Sequence, residues 1–182
     1  MRALAVVVAA LTVGIEPAAA QSFVVRATAK TQRLGDFNIT AHPTLRGVTN
    51  IFGPADDCRM RTWFAMAVWR TPGFRLRLTT LGGLSPGTTF CTDPKIWIDS
   101  AVVTGKRWHT PRGLYIGDTF AKFHRLYPHA RRFHNGWGIA QVYGHCYVGV
   151  CSAAFVWSPR LTAVFDHGRV ASFVLPVGAQ GE

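Results

Sequence analysis

The sequence predicts an α+β protein of two tandem repeats, each a short helical element packed on a small antiparallel sheet. Three observations predict it. Two amphipathic segments lie 75 residues apart, a tryptophan-led stretch follows each, and strands separated by turn signals come next. Residues 44–55 read TLRGVTNIFGPA and residues 119–130 read TFAKFHRLYPHA. Leu45, Val48, Ile51 and Phe52 of the first align with Phe120, Phe123, Leu126 and Tyr127 of the second, both sets at helical spacing.

The elements follow in order. Residues 1–20 read as a signal peptide: Met1-Arg2, an uncharged apolar run over residues 3–13, the breakers Gly14 and Pro17, then Ala18-Ala19-Ala20 before a cleavage at Gln21. The run is shorter than the ~20 residues a membrane-crossing helix needs. The expected product is secreted, with no transmembrane segment after cleavage. No cysteine sits at the cleavage point, so a lipoprotein is not expected. Cleavage removes one base (Arg2) and one acid (Glu16), and the net charge stays at +11.

Residues 21–34 read as an N-terminal extension, residues 35–105 as the first repeat and residues 106–182 as the second. The helices are expected over 43–53 and 118–127, with Pro43 near the first start, Asp118 capping the second, and Gly53-Pro54 and Pro128 as stops. Short alternating stretches precede them, Phe37-Asn38-Ile39 and Leu114-Tyr115-Ile116. Strands are expected from Trp63 and from Trp137, then over 74–80, 95–103, 152–157, 161–165 and 169–175. Turn signals separate them at Thr71-Pro72-Gly73, Gly82-Gly83, Pro86-Gly87, Ser158-Pro159 and Asp166-His167-Gly168. In Phe74-Arg75-Leu76-Arg77-Leu78 the alternation sends the apolar side chains to the helix and both arginines to an open face.

Four cysteines follow the leader: Cys58, Cys91, Cys146 and Cys151. In an exported chain an even count reads as disulfides, and their spacing favours Cys58–Cys91 and Cys146–Cys151 over the crossed pairings. A zinc site is the alternative, without a Cys-x-x-Cys pair to support it. Closing the Cys58–Cys91 loop would contribute on the order of 3–4 kcal/mol in the loop-entropy model.

Gly113-Leu114-Tyr115-Ile116-Gly117-Asp118-Thr119, running into an amphipathic helix that ends in Leu126-Tyr127-Pro128, resembles the opening motif of the BLIP/BamE-like superfamily. That superfamily includes the secreted β-lactamase inhibitory protein and small outer-membrane assembly lipoproteins. The chain also resembles secreted actinobacterial proteins that carry a Gly-Pro-x-x-x-Cys stretch, here Gly53-Pro54-Ala55-Asp56-Asp57-Cys58. The resemblance implies tandem helix-on-sheet units. It does not imply inhibition of a β-lactamase: the turn matching the inhibitor's acidic and aromatic hairpin tip is Arg70-Thr71-Pro72-Gly73, without acid or tyrosine.

Catalytic chemistry has few supports. Gly144-His145-Cys146 could supply a cysteine nucleophile beside a base, but a bond to Cys151 would abolish it. His124, His129 and His134 are spaced by five, which does not stack ligands on one helix face, so no metal and no cofactor is expected. The few acids lie in loops, caps and turns, against paired-carboxylate hydrolysis. The excess of basic residues, with the run Lys106-Arg107-Trp108-His109, raises nucleic acid, which a secreted protein seldom meets. The expected function is therefore a secreted non-catalytic binding module for a protein or an anionic cell-envelope polymer. A cysteine-dependent enzyme using His145 and Cys146 and a structural envelope protein are the alternatives. The expected binding residues are Tyr147 and Val148, in the loop closed by Cys146–Cys151, with Arg75 and Arg77 on the sheet.

Overall fold

Alternation at Phe74–Thr79 sets the architecture, because a strand with one apolar face must be covered on that side only. A computed structural model describes residues 22–28, 30–80, 82–133, 136–142 and 158–177. Its elements are β1 (Phe23–Ala27), β2 (Gln32–Leu34), β3 (Phe37–Asn38), α1 (Leu45–Phe52), β4 (Asp57–Met60), β5 (Ala65–Trp69), β6 (Phe74–Thr79) and β7 (Trp97–Val103). The chain continues with β8 (Trp108–His109), α2 (Phe120–Leu126), β9 (Arg131–Phe133), β10 (Gly136–Val142), β11 (Ser158–Asp166) and β12 (Arg169–Pro176).

The expected pair of helix-on-small-sheet repeats is not what forms. The described chain is mostly β, with two helices of 8 and 7 residues and two sheets of four and eight strands. The large sheet runs β4-β5-β6-β7-β12-β11-β10-β9, and the small one β3-β2-β1-β8. The reason is a seam: β7 pairs antiparallel with β12 over Val103↔Phe173 to Ser100↔Pro176. That pairing consumes two edges that separate sheets would each leave exposed. Helices of two turns are also too short to cover a sheet this wide. Residues 23–34, read from sequence as an extension, supply β1 and β2 to the covering layer. β1 pairs parallel with β8 and antiparallel with β2.

The inner face carries the core. One register row crosses six strands as Trp69, Phe74, Val103, Phe173, Ala163 and Trp137. Beneath it, Phe52 of α1 meets Phe74 edge-on at 4.9 Å between ring centroids, and Trp108 of β8 stacks on Phe23 at 4.9 Å. Phe120 and Phe123 of α2 close on Trp137 and Phe165. Burying each such side chain is worth about 1.5–3 kcal/mol. Gln32, itself buried, joins the layers: its side-chain amide donates to the carbonyls of Arg160 at 2.8 Å and Pro176 at 2.7 Å.

Local chemistry refines several expectations. Both helix caps are threonines: Thr44 accepts from the Gly47 N–H and Thr119 from the Lys122 N–H, each at 3.3 Å. Asp118 is not the cap. Its carboxylate accepts from the Tyr115 N–H at 2.7 Å and pairs with Lys122 Nζ at 2.8 Å. Ile51, assigned to the apolar stripe, is exposed, while Leu45 and Val48 are buried. Trp63 precedes its strand and stands in a turn. The Cys58–Cys91 disulfide forms as expected and ties β4 to the loop between β6 and β7. In that loop the Asp93 carboxylate accepts from the Ser85 N–H, the Lys95 N–H and the Thr88 hydroxyl. The Ser85 and Lys95 N–H groups hold its pKa down to about 2.

Candidate binding surface

Alternation that buries Phe74, Leu76 and Leu78 leaves Arg75 and Arg77 exposed on the opposite face. Register fixes their neighbours. One row crosses all eight strands as Asp57, Val68, Arg75, Val102, Val174, Thr162, Gly138 and Arg131. A second runs Arg59, Met66, Arg77, Ser100 and Pro176. Over β4–β7 this face is accessible, whereas Thr162 and Ser172 farther along are buried.

The two arginines differ. Arg77 is engaged: its Nε lies 3.3 Å from Asp99 Oδ2, and its guanidinium sits 4.4 Å above the Phe64 ring. A bulge between Arg77 and Leu78 shifts the register beside Asp99. Arg75 is exposed and has no carboxylate partner among the described residues. It lines a cleft of about 750 Å³ together with Val102, Val164 and Val174, and with Phe120, Arg132 and Trp137 from the α2 end of the sheet. A guanidinium beside apolar side chains suits a ligand that presents a carboxylate or phosphate next to apolar surface.

Tyr147, Val148, His145, Cys146 and Cys151 lie outside the described residues, as does His134. His124 packs edge-on against Phe120 and Trp137. Among the described residues no group of three His, Cys, Asp or Glu side chains is placed to hold a metal ion. Trp108, the aromatic of the basic run at 106–109, is fully buried, and its indole N–H donates to the Pro72 carbonyl at 2.9 Å. Its ring is therefore closed to stacking by a nucleic-acid base. Among the described residues no helix is long and apolar enough to cross a membrane.

The shifted titrations are structural. Asp93 spends its carboxylate on backbone N–H groups of its own loop, and burial pushes the Tyr127 hydroxyl up while it donates to Thr110 Oγ1 at 2.6 Å. What sequence reading missed is the valine pair Val102–Val174. Each valine lies in a strand expected from sequence, but their adjacency depends on the β7–β12 seam. Trp63 and Trp97 entered the sequence reading only as strand residues, and their exposure is a finding of the structure. No family model, curated protein or solved structure matches this chain.

Proposed function

We propose that the chain is a secreted, non-catalytic binding module whose partner, an acidic protein surface or an anionic cell-envelope polymer, docks on the accessible face of the large sheet. One observation carries the reading: Arg75 stands exposed and without a carboxylate partner among the described residues, and lines a cleft with Val102 and Val174. Its backbone is already fixed within the sheet, so a ligand has only the side chain to order. The net charge of +11 steers anionic partners toward the protein. Secretion is supported by the leader at residues 1–20 and by Cys58–Cys91, a bond that persists in oxidising compartments.

The test is capture of partners from culture supernatant and cell-wall extract on immobilised protein, with Arg75→Glu/Arg77→Glu beside the wild type. The partner should elute with salt and bind the double variant about tenfold or more weakly. A partner that binds both proteins equally removes this face from the account.

A further inference from the structure

The turn between β4 and β5 projects side chains that a folded chain ordinarily hides. Trp63 is 81% exposed and Met60 is 52% exposed, whereas Trp69 and Trp108 are buried. The turn is built to hold them out. The Arg61 N–H donates to the Phe64 carbonyl at 2.7 Å, and Met60 pairs with Ala65, so residues 62 and 63 form the apex of a tight hairpin. Cys58, two residues below Met60, is fixed to Cys91, which keeps the base of the hairpin from swinging. The Arg77 guanidinium covers the face of the Phe64 ring.

Cations surround this apex. Arg61 is exposed and has no carboxylate partner among the described residues; Arg59 is paired only with Asp57, at 2.8 Å. No Asp or Glu occurs in the sequence from Arg59 to Thr92. At the same end of the sheet β7 begins with Trp97, 42% exposed and paired with Thr79, just after the exposed Lys95. The arrangement sets an exposed indole and thioether at the hairpin end, with guanidinium groups flanking them.

We propose that the β4–β5 hairpin is an interfacial anchor that seats Trp63 and Met60 in the headgroup region of an anionic lipid bilayer. An indole suits that depth because its ring is apolar and its N–H stays wet. Arg59 and Arg61 reach back along their apolar stems to lipid phosphates, and the acid-free stretch that follows them adds attraction to a negative leaflet. Charge complementarity selects a lipid surface here: exposed Trp63 and Met60 at the hairpin end are flanked by the exposed Arg59 and Arg61. This site is separate from the Arg75 face and stands on different residues.

Co-sedimentation of the mature protein with unilamellar vesicles tests it. Vesicles of equal parts phosphatidylglycerol and phosphatidylcholine should carry the protein down at low salt, and phosphatidylcholine alone should not. Trp63→Ser and Arg61→Glu, both at exposed positions, should each weaken sedimentation about tenfold while keeping the wild-type circular dichroism spectrum. Arg75→Glu should sediment within about threefold of wild type, because it lies away from the tip. Wild-type protein that stays in the supernatant overturns the proposal, as do tip variants that sediment like wild type. Loss in Arg75→Glu with Trp63→Ser unaffected moves the lipid contact to the sheet face and also overturns it. If vesicles never bind but Trp63→Ser abolishes capture of a protein, the tip is a protein contact and the lipid assignment falls.

Discussion

Within β6, Leu76 and Arg75 are chain neighbours with opposite environments. Leu76 is fully buried in the row Cys58, Ala67, Leu76, Ala101 and Leu175, beneath which lie α1 and the small sheet. Arg75 stands on the other side of the same backbone, exposed beside two valines. The difference teaches that the period of two divides labour. One face holds the sheet to its cover, and the other is free to vary in chemistry without cost to the core. Substitutions one residue apart should therefore be read by different instruments.

The largest effect is expected where the inner face is stapled. Cys58→Ser, with Cys91→Ser to avoid a lone thiol, should lower stability by about 3–4 kcal/mol in denaturant titration. A loss below about 1 kcal/mol would mean that the β4 edge and the β6–β7 loop hold together without the bond. Leu76→Ala comes next, at about 3 kcal/mol, because the site is fully enclosed and cannot collapse around the missing methyls. A cost under about 1 kcal/mol would show that this face is not the packed one.

The smallest effect is a pH dependence. Asp93 titrates at about 2 when folded, against an ordinary 3.8. Its stabilising contribution is complete above about pH 4 and is lost as pH falls from there through about 2, since protonation removes acceptors for the Ser85 and Lys95 N–H groups. Asp93→Asn should flatten that part of the stability curve. An unchanged acid limb in the variant would show that the loop does not depend on the charge.

Much of the comparison was readable in the sequence, because strand alternation is local. Phe74 to Leu78 announced both faces, the spacing of Cys58 and Cys91 announced a bridge, and both helices formed within two residues of the expected bounds. Failures came where the answer lay in distant pairing. The β7–β12 seam joins strands some 70 residues apart, and each edge reads alike whether it ends a small sheet or continues a large one. Trp108 reads as a basic-run aromatic until Phe23, Phe52 and Phe74 are brought around it. Asp118 and Thr119 are both good caps, and a one-residue difference in the helix start decided for the threonine.

The direct test of the division between faces is to measure melting temperature and affinity for the captured partner on Arg75→Glu and Leu76→Ala in parallel. Arg75→Glu should melt within about 2 °C of wild type and bind about tenfold or more weakly. Leu76→Ala should melt about 6–12 °C lower and, held well below its transition, bind as wild type does. If Arg75→Glu instead melts early and binds normally, the open face is structural and the proposed binding surface is wrong.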